Sequence, residues 1–374
     1  MNESGAEHAC FMRVALQLAR RGYGRTSPNP MVGAVLVRDG EIIGRGWHRR
    51  AGEPHAEIEA FEDARQRGAE LRGATLYVTL EPCSTHGRTP PCTEAIFSAG
   101  VRHVVVGAID PNPKHAGHGL KILRGHGIEL TQGILADEAV RLNEAFNHWV
   151  VERTPFVTVK TAMSLDGKIA TRTGESKWIT GEAARAHGMK LRYGADAMLV
   201  GINTVLRDDP SLTVRLKGVT KPLRRIILDS RARTPLASRV ISDEHASLTT
   251  VVVGKNAPAG RILKLERRVR VWQAPERNDG IDVRWTLEKL GGENVTHLLV
   301  EGGGEVNAAF LLGGFAQRIA FFYAPLVIGG NDATKAVAGI GILDAAKGLR
   351  LTDVNWKRLG VDLLLTARVE GRRN

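Results

Sequence analysis

Apolar residues come in short runs whose spacing alternates between the period of a helix and that of a strand. Ala9 to Ala19, broken by Arg13 and Gln17, carries Phe11, Val14, Ala15 and Leu18 on one face and predicts an amphipathic helix. Cys10 falls on that apolar face and reads as a small buried residue. The stretch does not read as a signal peptide. Val32 to Val37 and Glu41 to Trp47 flank Asp39-Gly40, a tight-hairpin pattern. Ala56 to Gly68 reads as a helix, Ala74 to Leu80 as a strand, and Thr93 to Ala99 as a short helix stopped by Gly100. Val101 to Gly107 is almost wholly apolar, so a strand buried on both faces is expected. Helices near Gly119 to Arg124 and Asp137 to Val150 complete a helix–sheet–helix layered domain.

A break at Val151 to Pro155 precedes a second αβ alternation. Strands are expected at Phe156–Lys160, Ala197–Val200, Arg225–Leu228, Thr249–Val253, Val269–Trp272, His297–Val300 and Ile319–Tyr323. Helices are expected at Glu182–Arg192, Leu287–Leu290 and Val306–Leu312. The pattern divides the chain into domains 1–150 and 151–374, without an internal repeat and with a short linker.

Composition narrows the class. Of 374 residues, 43% are hydrophobic and 25% charged, which excludes disorder, collagen-like repeats and a disulfide scaffold. No apolar run approaches the ~18 residues of a membrane span, so no membrane partner is expected. The formal charge of +12 suits an anionic partner, either nucleic acid or small phosphorylated molecules. Long basic runs are absent and aromatic residues make up 5%, so no stacking platform for single strands is evident. Three cysteines without an export signal point to a reducing cytoplasm.

Two of those cysteines belong to a constellation. The chain reads Pro54-His55-Ala56-Glu57, then Glu81-Pro82-Cys83, then Pro91-Cys92. One imidazole and two thiolates suit zinc and leave a fourth position for water. Glu57 is the right group to move protons between that water and a leaving amine. The His-x-Glu and Pro-Cys order matches zinc nucleobase deaminases, except that eight residues separate Cys83 from Cys92. His55 and Glu57 can face one metal only at a helix start, where Pro54 places it. Cys92 opens a helix whose positive end would favour its thiolate. A closed structural zinc with His86 or His48 as fourth ligand remains an alternative. So does a tRNA or single-strand deaminase with a basic accessory domain.

The segment Ser84 to Thr89 between the cysteines is polar and basic and could bind a substrate phosphate. In the second half, Glu301-Gly302-Gly303-Gly304 after a strand and before a helix has the form of a phosphate cradle, though not of a Rossmann fingerprint, and a plain tight turn is the alternative. Gly329-Gly330 reads as a loop. Lys160 to Lys168, Ser176 to Thr180, and Thr204 to Arg215 form polar clusters.

Pro28-Asn29-Pro30-Met31-Val32-Gly33, Gly52 to Glu57, Glu81 to Cys92 and Asp110-Pro111-Asn112-Pro113 resemble the deaminase signatures of the bifunctional riboflavin-biosynthesis deaminase/reductase family. The resemblance runs the whole chain. It implies an α/β protein: an N-terminal cytidine-deaminase-like αβα domain and a C-terminal dihydrofolate-reductase-like αβ domain. It implies His55, Cys83 and Cys92 on Zn2+, with Glu57 carrying the proton. Asn29 would touch the pyrimidine, and Arg88 with Asn112 would lie near the ribose phosphate. Thr85 stands where several members carry histidine. In the second half it implies NADPH against Met163, Trp178, Thr204, Asp208 and Ser230 and the turn Gly303, Gly304, Glu305, Val306, Asn307, Ala308 and Ala309. Met163 would reach the cofactor by its backbone. Ser176, Arg192, Leu212, Arg215 and Glu301 would hold substrate, the two arginines suiting a phosphate. Asp208 is the expected proton-handling group. Substrate would be 2,5-diamino-6-ribosylamino-4(3H)-pyrimidinone 5′-phosphate, deaminated and then reduced at its ribosyl chain. The family is often oligomeric, so a homo-oligomer is possible; nucleic acid is not an expected partner.

Overall fold

The computed structural model describes residues 3–85, 90–219, 221–277 and 280–370. The chain divides into two compact units, Met1–Arg153 and Thr154–Asn374.

In the first unit, helix α1 (Glu3–Ala19) precedes the hairpin of β1 (Gly33–Arg38) and β2 (Glu41–Trp47). Then come α2 (Ala56–Gln66), β3 (Thr75–Leu80), α3 (Cys92–Ser98), β4 (His103–Ala108), α4 (His118–Gly125), β5 (Glu129–Gln132), α5 (Ala136–Leu142) and α6 (Glu144–Glu152). The sheet order is β2-β1-β3-β4-β5, antiparallel at β1 and parallel from β3 to β5. Asp39 and Gly40 both take positive φ, 50° and 77°, as a two-residue hairpin turn requires. All six residues of β4 are buried, because helices cover both faces. On one face α1 and α5 pack against Val35, Tyr77 and Val105. On the other, α2, α3 and α4 pack against Leu36, Leu76 and Val104.

Gly46 decides where α2 sits. A Cβ there would lie 2.1 Å from the Ala56 carbonyl oxygen, so only glycine admits the first turn of α2 so close to β2.

The fold departs from the sequence pattern at three places. The buried face of α1 centres on Met12, Ala15, Leu16 and Ala19, and Cys10 is exposed on the other side. The single helix expected over 137–150 is two, broken at Asn143, whose φ of −111° and ψ of 24° leave the helical region. Asn143 instead donates to the Met31 carbonyl oxygen at 2.8 Å and accepts from the Met31 amide at 2.7 Å, tying down the loop that carries Asn29. Strand β5 was not anticipated.

The second unit runs β6 (Phe156–Ser164), β7 (Lys168–Ala170), α7 (Glu182–Gly194), β8 (Ala197–Gly201), α8 (Ile202–Asp208), β9 (Arg224–Leu228), α9 (Arg239–Ser242), β10 (Thr249–Gly254), α10 (Ala259–Glu266) and β11 (Arg270–Ala274). It continues with β12 (Glu276–Arg277), β13 (Gly280–Ile281), α11 (Val283–Gly292), β14 (His297–Val300), α12 (Gly304–Leu312), β15 (Arg318–Ala324), β16 (Thr334–Lys335), β17 (Leu351–Leu359) and β18 (Asp362–Val369). Nine strands form one sheet in the order β11-β10-β9-β8-β14-β6-β15-β18-β17. Strands from β11 to β15 are parallel, while β18 and β17 return antiparallel. Val157, Leu199 and Phe310 belong to the core on one face, Met198, Ile227 and Val251 to that on the other. Helices α8 and α10 and the β17–β18 hairpin were not anticipated. Among the described residues no helix is long and apolar enough to cross a membrane.

Candidate active sites

In the first unit, His55 is the residue before α2, with extended φ −74° and ψ 165°, so its side chain is free of the helical direction. Glu57 lies in the first turn and is 3% exposed. Cys83 follows the end of β3, and Cys92 opens α3. These elements bring His55, Cys83 and Cys92 together, with ligand atoms all within 4.8 Å of one another. His55 Nδ1 lies 3.2 Å from Cys92 Sγ and 3.5 Å from Cys83 Sγ. The nitrogen–sulfur edge of a tetrahedral zinc site is about 3.6 Å, so the trio fits zinc in donor type and spacing.

The helix-start effect acts on a different sulfur than expected. The Cys92 amide donates to Cys83 Sγ at 3.3 Å. The Cys92 thiol, then His55, hold Cys83 down at about 4 despite its burial, while the Cys92 thiol is pushed up by Cys83 and by burial. Burial, then the Cys83 charge, push the Glu57 carboxyl up to about 7. A group in that range can take and give a proton near neutral pH.

His48 is not a fourth ligand. Its Nδ1 faces the Pro54 carbonyl oxygen at 3.1 Å and its Nε2 faces Asn29 Nδ2 at 3.1 Å. A proton on Nδ1 satisfies the carbonyl, and Nε2 then accepts from Asn29. The ring stands edge-on to His55, centroids 5.3 Å apart. His48 thus orients Asn29, a role its sequence context did not reveal. Arg88 and His86 lie outside the described residues; Thr85 is exposed. Asn112 is half-buried in the loop after β4.

In the second unit most of the expected cofactor residues lie at the carboxyl ends of parallel strands, where ligands of such sheets bind, whereas Trp178 lies on the segment between β7 and α7. Met163 is at the end of β6, Thr204 and Asp208 are on α8 just after β8, Ser230 follows β9, and Gly303 follows β14. Met163 is 3% exposed. A Cβ on Gly303 would meet nothing within 4 Å, whereas one on Gly304 would lie 2.4 Å from the Lys335 carbonyl oxygen. Asn307 and Ala308 are buried; Asn307 donates to the Ala336 carbonyl oxygen at 2.8 Å. Glu305 accepts from the Gly339 amide at 3.3 Å, and Val306 is half-buried.

A cavity of about 370 Å³ is lined by Lys160, Trp178, Arg192, Arg215, Glu301 and Phe322 among others. Glu301 accepts a two-pronged pair from Arg192, at 2.9 Å from Nε and 2.8 Å from Nη2. Lys160 Nζ stands 3.6 Å from the same carboxylate. Burial opposes the Glu301 charge, but Arg192 and Lys160 outweigh it and hold the carboxyl at about 2. Arg192 is thus largely committed, whereas Arg215 has no ion-pair or hydrogen-bond partner among the described residues. Trp178 is 72% exposed with the Arg185 guanidinium 4.7 Å from its ring centroid. Leu212 points into the core with φ of +50°, so only its backbone could face a ligand. Ser176 is half-buried on the segment before α7. Asp208 is exposed and does not line the cavity; Lys160, which was not singled out, does.

Residues 6–108 match the cytidine and deoxycytidylate deaminase zinc-binding region, and residues 155–365 match the RibD C-terminal domain. The riboflavin biosynthesis protein RibD of Aquifex aeolicus is 41% identical over 355 residues, 95% of this chain and 96% of the relative. That of Escherichia coli K12 is 39% identical over 363 residues, 95% and 97% of the two chains. Among solved structures, Acinetobacter baumannii RibD superposes with a TM-score of 0.86 at 35% identity, covering 98% of this chain and 99% of that one. A Thermotoga maritima diaminohydroxyphosphoribosylaminopyrimidine deaminase/5-amino-6-(5-phosphoribosylamino)uracil reductase gives 0.83 at 36% identity, covering 98% and 100%.

Proposed function

The chain belongs to the RibD family of riboflavin biosynthesis, uniting a cytidine-deaminase-like domain with a dihydrofolate-reductase-like one, and we propose that both halves work on one phosphorylated pyrimidine. It is an enzyme, a deaminase and a reductase. In the proposal, domain 1–150 hydrolyses the 2-amino group of 2,5-diamino-6-ribosylamino-4(3H)-pyrimidinone 5′-phosphate, consuming water and releasing ammonia. Domain 151–374 then reduces the ribosyl chain of 5-amino-6-(5-phosphoribosylamino)uracil to ribityl. The observation carrying this reading is the His55–Cys83–Cys92 cluster with buried Glu57 beside it.

His55 Nδ1 and the two sulfurs would hold Zn2+, which supplies the Lewis acidity that makes water a nucleophile near neutral pH. Glu57 takes a proton from the attacking water and returns one to the departing amine. Asn29, oriented by His48, presents its amide to the pyrimidine. Arg88 and Asn112 would meet the ribose phosphate.

In the second domain, NADPH along the carboxyl ends of β6, β8, β9 and β14 would supply hydride to C1′ of the ring-opened sugar. Met163, Trp178, Thr204, Asp208, Ser230, Gly303 and residues 304–309 of α12 would hold it. One proton must reach the C1′-linked nitrogen as the hydride arrives. Lys160 in the cavity is better placed to give it than Asp208 on the exposed end of α8. Ser176, Leu212 and Arg192 would flank the sugar. Arg215 carries the uncommitted charge for the phosphate. Arg215→Ala is expected to raise the KM for the phosphorylated uracil about 10- to 100-fold with little change in the KM for NADPH. Steady-state kinetics with each reactant varied separately checks this.

The reading is tested by supplying the diaminopyrimidinone phosphate to the zinc-loaded protein with and without NADPH. Ammonia should appear in both cases, and loss of the reduced-nicotinamide absorbance should follow only after deamination. Nicotinamide oxidation without prior ammonia release would overturn the order, and release unaffected by zinc removal would overturn the metal assignment.

A further inference from the structure

Glu81, between the end of β3 and Cys83, has no part in the chemistry above, yet it is 6% exposed. Its carboxylate accepts four backbone amides. Oε1 takes Gly119 at 2.9 Å and Leu120 at 3.5 Å; Oε2 takes Gly117 at 2.9 Å and Asp110 at 3.2 Å. All four donors belong to the segment between β4 and the first turn of α4. Its own amide donates to the Ala108 carbonyl oxygen at 2.9 Å, so main chain and side chain grip the same neighbour. No ion pair involving Glu81 occurs among the described residues, so aligned amides carry its charge. A Cβ on Gly119 would sit 2.2 Å from the Pro82 carbonyl oxygen, so this segment is pressed against Glu81-Pro82 as closely as glycine allows.

Asn112 rides on the held segment. Its amide donates to Asp110 Oδ1 at 2.8 Å and its Oδ1 accepts from the Lys114 amide at 3.1 Å. Its carbonyl oxygen accepts from the His115 and Ala116 amides. Among the described residues the turn thus spends every polar group of Asn112 except Nδ2, which is left to donate to a ligand.

We infer that Glu81 is a positioning residue, whose carboxylate fixes the Asn112 segment relative to Cys83 and so sets the span between the metal trio and the ribose-phosphate end of the substrate. The inference rests on the substrate role given to Asn112 above.

Glu81→Gln keeps the shape but replaces one oxygen with an amide nitrogen facing two amides. In the full-length zinc-loaded enzyme, KM for the diaminopyrimidinone phosphate should rise about tenfold or more, with kcat within about threefold. Zinc content and reductase rate should hold, and hydrogen exchange at Gly117 and Gly119 should quicken. Asn112→Ala should raise KM to a similar degree, and the double variant should add little beyond the larger single effect. Loss of zinc or a collapse of kcat with KM unchanged would show that Glu81 serves the metal trio instead and overturn the inference. So would unchanged KM and exchange in Glu81→Gln while Asn112→Ala raises KM. If Asn112→Ala is itself silent, the substrate role of Asn112 fails first and the inference falls with it. Should Glu81→Gln not fold, Gly119→Ala opens the same contact from the other side, and an unchanged KM there counts against the inference equally.

Discussion

Glu57→Gln should slow ammonia release by about 10²- to 10⁴-fold while zinc stays bound and the reductase keeps its rate. Glutamine keeps the volume of a side chain that is 3% exposed, so α2 and the residue before it, His55, have no reason to move. What is lost is a carboxyl that burial has raised to about 7 and that can exchange protons during turnover. Removing a buried ionisable group is also expected to leave the fold intact or slightly firmer, since its desolvation cost disappears. Ammonia assays, metal analysis and NADPH oxidation on the same preparation separate these effects. A variant deaminating at close to the wild-type rate would remove Glu57 from the chemistry; one that loses zinc would make it a support of the metal trio.

The metal trio was legible because its chemistry and its local structure coincide. Pro54 marks a helix start, and the two Pro-Cys steps mark chain segments leaving a strand and entering a helix. Sequence therefore indicated both which residues converge and why they can. The destination of the helix-end amide was not legible, because it is aimed across space at Cys83 and not at the residue that carries it. Asn143 shows a similar limit: its side chain trades the helix for Met31, more than 100 positions away, and no periodicity in 137–150 signals that. On α1, a stripe read from four residues was rotated by about one position, which was enough to bury Met12 and expose Cys10.

The reductase cavity was less legible for a topological reason. Strand β14 inserts between β6 and β8, so Lys160 and Glu301 become neighbours across parallel strands separated by some 140 positions. Nothing near Lys160 distinguishes it from the other polar residues of Lys160 to Lys168. Asp208, the proton group that the resemblance implied, lies at the exposed end of α8. The edge hairpin of β17 and β18 escaped notice because β17 is almost wholly exposed and carries no alternation tied to a core.

Glu301→Gln should disable reduction and loosen its own domain, leaving ammonia release unchanged. Arg192 and Glu301 are 13% and 11% exposed and joined by two short bonds, with Lys160 alongside. Removing the carboxylate leaves two cations facing one another in a half-closed cavity, and breaking such a pair costs about 3–5 kcal/mol. The same loss frees Arg192 and Lys160 from the geometry in which they would meet substrate, so reduction should fall about 10²-fold or more. The stability effect has a defined pH window. Because the folded-state carboxyl lies near 2, below the ordinary 4.5, its contribution is complete above about pH 4.5 and is lost as pH falls towards 2. Hydrogen exchange of β14 and α7 amides, compared between wild type and variant, should therefore differ most above pH 4.5 and converge in acid. Equal protection at neutral pH would show that the Arg192 pair contributes nothing to the fold. Reduction at the wild-type rate would remove Glu301 from the site and leave Lys160 to act without it. Lys160→Met distinguishes the two cations: if Lys160 gives the proton, kcat for reduction should fall while Arg192 and Glu301 remain paired and the domain keeps its protection.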